Sequence, residues 1–219
     1  MATRQLLAEL VAAYTQRADV VAEIESVGGV DAAKRVLAGE SFDVVVLASD
    51  AIDKLIAAGR VDASSKVDLV VSGVSVAVRT GAQHPDLSSE EAVRRAVLDA
   101  ASISYSTGPS GVALVKLFER WGITEQIQSR IVQAPPGVPV GSLVAQGEVA
   151  LGFQQLSELI HLQGIDVVGP LPPAIQILTT FSAGVCPGAK QADAARAMLE
   201  FMHSPLADAA KRKQGMEPA

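Results

Sequence analysis

Three turns built from small and hydroxyl-bearing residues stand at the starts of predicted helices. They cover residues 26–29, 106–111 and 136–140 and are rich in Ser, Gly, Thr and Pro. The first backbone N–H groups of a helix have no partner inside the helix, and they lie at the positive end of its dipole. Such turns therefore suit small oxyanions. The same residue types also form ordinary capped helix starts, so each turn taken alone leaves both interpretations open.

Polar side chains at two predicted strand ends are further candidates to hold an anion. Arg79 ends an apolar strand, where a guanidinium can pair with a carboxylate through two hydrogen bonds, although a surface arginine is the more common interpretation. Gln154 and Gln155 follow another strand, where two amides can donate to anionic oxygens. Amides are equally common where a buried strand reaches the surface, so this pair leaves both interpretations open.

Composition excludes several classes of function. The 219 residues carry a formal net charge of −6 and no basic cluster beyond residues 211–213, so the sequence lacks a nucleic-acid footprint. No apolar run reaches the roughly 18 residues of a membrane span. The single cysteine, Cys186, lies in an apolar stretch and is interpreted as a core thiol, and the three histidines lack zinc-site spacing. We therefore expect no metal, no cofactor and no nucleic-acid partner.

The apolar pattern predicts alternating helices and strands. Residues 19–26 resemble a strand, and an S-x-x-E pattern that begins at Ser88 predicts a helix cap. Other strands are predicted at 42–48, 67–78, 103–105, 131–134, 149–153, 165–168 and 177–186. Helices are predicted at 6–14, 31–37, 49–59, 112–121, 139–145, 156–161, 191–203 and 205–213. This alternation predicts an α/β fold with mostly parallel sheets, in which the turns after strands collect along one edge of each sheet.

Four segments follow a known family pattern. They are ESVGGVDAAKRVLAGESFDVVVLASDAIDKLIAAGRV at 25–61, the turn at 105–111, VPVGSLVAQGEVALGFQQLSEL at 138–159, and FSAGVCPGAKQADAARAMLEFMHSP at 181–205. On these motifs the chain resembles the type 2 periplasmic binding proteins over nearly its whole length. Within them it is most similar to the branch of molybdate-binding proteins and their carboxylate-handling relatives, which includes aconitate isomerase.

The resemblance implies a two-lobed architecture, each lobe a mostly parallel sheet flanked by helices, with two strands crossing between the lobes. Lobe 1 would comprise residues 1–78 and 176–219, and lobe 2 residues 79–175. The resemblance implies a small anion held between the lobes, where Gly28 and Gly29 face Ser110 and Gly111. The expected ligand-binding residues are Ser26, Gly28, Gly29, Arg79, Thr107, Ser110, Gly111, Val138, Val140, Gln154 and Gln155.

Two departures from the family pattern shape these expectations. Molybdate binders carry a tyrosine where this sequence has Gln154 and Gln155, which weakens molybdate or tungstate as the ligand and leaves room for a small carboxylate among the small oxyanions and carboxylates that the site could hold. Family members begin with a strand and a serine-containing turn before the first helix, so the first strand is expected to be missing here. A shortened chain, a misassigned start and a strand supplied by a partner, as in a homodimer, all stay open.

The primary functional expectation is a non-enzymatic solute-binding protein that holds a small anion and delivers it to the membrane component of an ABC transporter. The alternative is a cofactor-independent isomerase of a small tricarboxylate, similar to aconitate isomerase, which moves a proton in its substrate. For that reaction Tyr105, Ser106 and Ser110 are candidates, and the catalytic residue stays unknown. A truncated member that binds nothing is a third alternative. The N-terminus lacks a leader pattern, so the expected location is periplasmic if a leader was removed and cytoplasmic otherwise.

Overall fold

The computed structural model describes residues 1–135 and 137–219. Its helices are α1 (Arg4–Thr15), α2 (Gly29–Leu37), α3 (Ser49–Ala57), α4 (Glu90–Asp99), α5 (Pro109–Arg120), α6 (Thr124–Ile127), α7 (Val140–Gln146), α8 (Leu156–Leu159), α9 (Ala192–His203) and α10 (Asp208–Lys213). Its strands are β1 (Val44–Ala48), β2 (Val67–Arg79), β3 (Ile103–Tyr105), β4 (Leu151–Gln155), β5 (Ile165–Pro170), β6 (Leu178–Val185) and β7 (Glu217–Pro218). Single 3-10 turns occur at Ala63–Ser65, Gln128–Arg130, Pro173–Ile175 and Pro205–Ala207.

The chain divides into two compact units. Unit 1 consists of Met1–Ser72 and Thr179–Ala219, and unit 2 of Gly73–Leu178. Residues 67–72 of β2 therefore belong to unit 1, and residues 73–79 of the same strand belong to unit 2. Unit 2 is continuous in sequence, whereas unit 1 is assembled from the two ends of the chain.

Unit 1 is built on antiparallel strand pairs. Strand β1 runs antiparallel to β6, with Val44 opposite Val185, and β6 lies beside the first part of β2. On the other side, Val70 and Val71 of β2 pair with β7. Helices α2 and α3 pack on β1, and α1 packs on α9 and α10. The unit therefore combines a sheet with helices on its faces.

Unit 2 contains a mixed sheet with the strand order β5–β2–β4–β3. Strands β4 and β5 both run antiparallel to β2, and β3 runs parallel to β4. The α/β class is confirmed, but the described strand pairs are mixed rather than mostly parallel. A continuous apolar run indicates that a strand is buried on both faces, and it carries no information about strand direction.

Helices cover both faces of the unit 2 sheet. On one face, α4 and α5 bury Val97, Leu114 and Phe118 against β3 and β4. On the other face, α7 packs closely on β4 because Gly152 has no side chain. A β carbon at Gly152 would lie 2.6 Å from Val144 Cγ2 and 2.9 Å from Val140 Cγ1. The N-terminus of α7 is thereby held against the last residues of β4.

Several local expectations are wrong. Residues 19–26 form no strand, and Val21 is 94% exposed, because no described strand lies beside this segment to complete a ladder. Residues 131–134 contribute only one bridge, between Ile131 and Ile103. The cap of α4 is Ser89, whose hydroxyl accepts the Ala92 N–H at 3.2 Å, one residue after the predicted position.

Cys186 is buried in the core of unit 1, as its apolar neighbours in the sequence predict. Burial raises the pKa of its thiol, and the nearby Asp43 carboxylate raises that pKa further. A thiol in this environment stays protonated and unreactive. Its role is therefore packing.

Candidate functional site

The carboxyl ends of two neighbouring strands meet at one edge of the unit 2 sheet. Strands β3 and β4 are parallel, with Tyr105 opposite Phe153. Their next residues, Ser106 and Gln154, therefore stand side by side, because neighbouring strands lie about 5 Å apart. Parallel strands present the turns that follow them at the same edge of a sheet, which is where α/β proteins bind ligands. The sequence analysis predicted that the turn 106–111 and Gln154 follow strand ends at such an edge.

The turn after β3 leads directly into α5. Gly108 is the N-cap residue and Pro109 the first helical residue. The helical hydrogen-bond ladder begins with the Val112 N–H donating to the Gly108 carbonyl, so the N–H groups of Ser110 and Gly111 precede it. The first N–H groups of a helix are the ones that bind anions. The N-terminus of α5 therefore has the geometry of an oxyanion site.

Two serine hydroxyls accompany these backbone groups. Ser106 Oγ lies 3.4 Å from Ser110 Oγ, and Ser110 is buried. Each hydroxyl can donate one hydrogen bond to an anionic oxygen, while Thr107 is exposed on the same turn. The structure therefore brings three of the predicted ligand residues close together in unit 2: Thr107, Ser110 and Gly111.

Gly111 allows the turn to fold back tightly against the start of α5. A β carbon at this position would overlap the carbonyl oxygen of Ser106 and lie 2.9 Å from its carbonyl carbon. No side chain fits in that space, because real β carbons do not approach backbone atoms so closely. The closeness of the turn to the helix start therefore depends on glycine at this position.

Gln154 links the end of β4 to the start of α7. Its side-chain oxygen accepts a hydrogen bond from the Gly141 backbone N–H at 3.4 Å, and its amide donates to the Glu158 carboxylate. Gln155, the next residue, is also buried and lies opposite Val74 of β2. These contacts fix the orientation of the Gln154 side chain at the sheet edge.

The residues before α7 offer fewer contacts for an anion than the sequence predicted. Val140 is fully buried in the core, and the Val138 N–H already donates to the Pro135 carbonyl at 3.0 Å. Pro136, the first residue of the predicted turn 136–140, lies outside the described residues. The side chain of Val138 is 37% exposed, so it can offer an apolar contact.

Arg79 lies away from the other unit 2 candidates. Its strand runs antiparallel to β4, with Val74 opposite Gln155, so the carboxyl end of β2 lies beside the amino end of β4. Five residues of strand separate Val74 from Arg79, which corresponds to about 17 Å. The guanidinium instead lies near Gly147, after the last turn of α7. The sequence placed Arg79 only at the end of an apolar strand, and the antiparallel direction of β2 relative to β4 puts that end away from the turn into α5.

The remaining candidates lie in unit 1 at the start of α2. Gly28 is the N-cap residue, and its carbonyl accepts the Ala32 N–H at 2.9 Å. The Asp31 carboxylate lies in the first turn, 3.6 Å from where a β carbon of Gly28 would stand. This internal carboxylate already interacts favourably with the N-terminus of α2. Ser26, Gly28 and Gly29 stay predicted ligand residues.

Glu158 lies just after β4 and accepts a hydrogen bond from Gln154, although the sequence analysis did not single it out. It lies in α8, immediately after β4, and is partly buried. Burial raises the pKa of its carboxyl group, and the hydrogen bond from Gln154 offsets part of that shift. No local signal in the sequence indicates this contact, because Gln154 lies in strand β4 and Glu158 lies in the following helix.

Neither a metal centre nor a membrane helix is found in the part of the chain that the structure describes. No group of three or more His, Cys, Asp or Glu side chains comes together there as metal ligands. Among the same residues, no helix combines the length and apolar character that crossing a membrane demands.

Solved structures of solute-binding proteins share this fold. The periplasmic molybdate-binding protein of Azotobacter vinelandii superimposes with a TM-score of 0.80 at 21% identity, covering 98% of this chain and 95% of that one. The periplasmic binding protein AfuA from Actinobacillus pleuropneumoniae, solved with fructose-6-phosphate, gives a TM-score of 0.75 at 13% identity, covering 96% and 79%. The fold is therefore that of the type 2 periplasmic binding proteins.

The sequence itself identifies the family. The profile described as "Bacterial extracellular solute-binding protein" matches residues 1–217. The chain belongs to this family. A curated relative from Pseudomonas sp, described as aconitate isomerase, is 40% identical over 185 residues, which cover 84% of this chain and 70% of the relative.

Proposed function

We propose that this chain binds a small polycarboxylate anion at the carboxyl edge of the unit 2 sheet. The observation that carries the proposal is the tight turn at Gly111, which brings the Ser106 and Ser110 hydroxyls together at the first N–H groups of α5. Neutral dipoles of this kind hold an anion locally even though the chain has a net charge of −6. The amide of Gln154, on the neighbouring strand, adds a side chain that discriminates among oxygen-rich ligands.

We infer that the bound anion is a carboxylate rather than a metal oxyanion. The molybdate-binding relative shares the fold at 21% identity, whereas the relative described as aconitate isomerase shares 40% of the aligned sequence. A carboxylate has planar oxygens that hydrogen-bond in pairs with N–H and O–H donors. The two amides Gln154 and Gln155 in place of a tyrosine are consistent with this preference.

Transport is the function that the family description favours for such a binding protein. We infer that the protein acts outside the cytoplasmic membrane and passes its anion to the membrane component of an ABC transporter. This role needs reversible binding and no chemical change of the ligand.

Isomerisation of the bound anion is a second candidate function. The specific observation in its favour is the 40% identity to a protein described as aconitate isomerase, over 84% of this chain. An isomerase uses the same anion site but also needs a group that removes and returns a proton.

Thermal unfolding in the presence of different anions tests the binding proposal. We expect citrate or aconitate to raise the midpoint, because a ligand at about 100 times its Kd adds about 2.7 kcal/mol to the free energy of unfolding. Molybdate, tungstate, sulfate and phosphate serve as matched anions in the same buffer and at the same ionic strength. A midpoint raised by molybdate alone would contradict the carboxylate assignment, and no shift with any of them would contradict anion binding.

Replacing Ser110 with alanine is expected to weaken carboxylate binding about tenfold or more. The change removes one hydroxyl donor, and a hydrogen bond to a charged group contributes about 1.5–3 kcal/mol. Ser129→Ala is the matched control, since Ser129 is exposed in the same unit and distant in sequence from the turn. Titration calorimetry measures both affinities. Equal affinities for the two variants would remove Ser110 from the site.

A further inference from the structure

We propose that the free edge of β1 in unit 1 binds an extended segment of a partner polypeptide as an added strand. The segment is apolar in its middle and carries basic residues at its ends. Three features support this proposal: an unpaired strand edge, an apolar groove beside α1, and exposed carboxylates next to that groove. The surface lies in unit 1, so the inference goes beyond the anion binding proposed for unit 2.

Strand β1 has a neighbour on one side only among the described strands. It pairs with β6, and the Cys186 N–H continues that ladder by donating to the Asp43 carbonyl at 2.9 Å. Hydrogen-bonded pairs alternate along an antiparallel ladder, so the backbone N–H and C=O groups of Val44 and Val46 point away from β6. No other described group bonds to them. A strand edge of this kind is a template for another strand.

Helices pack on both faces of β1. Val45 and Leu47 belong to the apolar cluster under α2 and α3. Val44 and Val46 point to the opposite face, where they pack against the apolar cluster that includes Val11 of α1. Both residues are half-buried, so their unpaired backbone groups are partly withdrawn from water. Backbone groups in that position gain stability from a hydrogen-bond partner, which an added strand supplies.

An apolar groove adjoins the same cluster. Ala22 contacts the cluster that Val44 and Val46 also contact, and it lies in one wall of the groove. The groove has a volume of about 460 Å³ and is lined by α1 and by residues 20–24: Ala8, Val11, Ala12, Thr15, Val20, Val21, Ala22 and Ile24. Its lining offers few hydrogen bonds to water, so apolar side chains are the occupants that fit it best.

The wall formed by residues 20–24 carries apolar side chains that face water. Val21 is 94% exposed and Ile24 is 42% exposed. An occupant of the groove covers part of this apolar surface, which favours its binding. Strand addition therefore combines backbone hydrogen bonds at β1 with apolar contacts in the groove, and this combination is typical of peptide recognition at sheet edges.

Charges beside the groove favour basic residues at the ends of the partner segment. Asp19 and Glu23 are exposed, and neither forms an ion pair among the described side chains. Arg17, which is close to them in the sequence, lies over the Phe201 ring instead. Two carboxylates without a cation attract Lys or Arg on a partner and repel acidic residues.

A second copy of this chain fits the surface less well than a separate extended segment. The free strand edge that a second copy offers for symmetric pairing is its own β1, and helices pack on both faces of that strand. Such a strand pairs edge to edge but cannot insert side chains into the groove beside α1. An extended segment without helices on its faces satisfies the edge and fills the groove at the same time.

The probe is a synthetic peptide in which valine alternates with threonine and lysines stand at both ends. Titration calorimetry measures its affinity for the full chain, and NMR follows hydrogen exchange at the Val44 and Val46 N–H groups. We expect saturating peptide to slow exchange of both amides about tenfold or more, because a bonded amide exchanges only when its bond opens. A control peptide with proline in place of its central threonine lacks one N–H donor, so we expect it to bind about tenfold more weakly.

Replacing Glu23 with lysine tests the charge beside the groove. We expect the affinity for the lysine-flanked peptide to fall about fivefold at low ionic strength, and the difference to shrink as salt screens the exposed charges. Glu119→Lys is the matched control, since it makes the same change at an exposed position of unit 2. A thermal scan confirms that both variants are folded. Equal affinities of the two variants would overturn the basic character assigned to the partner.

Three other results would overturn the proposal. The first is no measurable binding of the lysine-flanked peptide, and the second is unchanged exchange at Val44 and Val46 when that peptide or its proline control is bound. The third is a dimer of the peptide-free chain in analytical ultracentrifugation in which the same two amides become protected, because a second copy then occupies the edge. None of these results bears on anion binding, which the response of the thermal midpoint to citrate and aconitate measures separately.

Discussion

Replacing Phe118 with alanine is expected to lower the thermal midpoint by about 10 °C. Phe118 is fully buried in unit 2, and its ring lies 6.2 Å from Tyr105, 6.0 Å from Trp121 and 6.3 Å from Phe153, measured between ring centroids. Truncating a buried phenylalanine costs about 3–5 kcal/mol, because the apolar contacts are lost and a cavity remains. In a chain of this length each kcal/mol shifts the midpoint by about 2–4 °C.

The control for this substitution lies on the same helix. Val112→Ala removes apolar atoms from α5 at a position that is 54% exposed, and we expect little change in its midpoint. Differential scanning calorimetry measures both variants. Equal midpoints would show that the aromatic cluster around Phe118 does not stabilise unit 2. Because this cluster holds α5 against β3 and β4, the Phe118 variant is also expected to bind anions more weakly.

Replacing Gly111 with alanine is expected to abolish carboxylate binding, with an affinity loss of about 100-fold or more. The new β carbon would overlap the Ser106 carbonyl oxygen, so the turn and the first residues of α5 must separate. That movement displaces two backbone donors, and each hydrogen bond to a charged group contributes about 1.5–3 kcal/mol. Overpacking of this kind also destabilises the fold by about 1–3 kcal/mol.

Gly188→Ala provides the matched control, because a β carbon there meets no atom within 4 Å and the residue lies in unit 1. Titration calorimetry with citrate or aconitate and a thermal scan of each variant separate binding from folding. We expect the Gly111 variant to lose more affinity than stability and the Phe118 variant to lose more stability than affinity. An unchanged affinity in Gly111→Ala would show that this turn does not contact the anion.

Local chemistry predicted that a turn follows β3, although α5 begins at Pro109 rather than at the predicted residue 112. The turn 106–111 carries its own signals, since a proline at the first helical position and a glycine before it are typical of a helix start. Gln154 was identified because it follows an apolar run. Both features depend on residues close together in the sequence, where short-range preferences determine the structure.

Features that depend on contacts between residues far apart in the chain could not be predicted from the sequence. Arg79 was misplaced because strand direction is set by which strands pair, and the apolar run of β2 fits either direction. The position of Glu158 was missed because its partial burial and its hydrogen bond from Gln154 depend on the fold, and its own residue type signals neither. Residues 19–26 have a strand-like composition and remain irregular, because a strand also needs a neighbour.

Unit 2 is one continuous segment and unit 1 is built from two separate segments, which affects when each unit can fold during synthesis. Unit 2 is one continuous stretch, Gly73–Leu178, and all its described strand pairings lie within that stretch. The core of unit 1 joins Leu6 and Leu10 near one end to Leu199 and Met202 near the other. Domains fold as units while the ribosome extends the chain from its N-terminus. Unit 2, which carries the proposed anion site, can therefore fold during translation, whereas unit 1 must wait until its final helices have been synthesised.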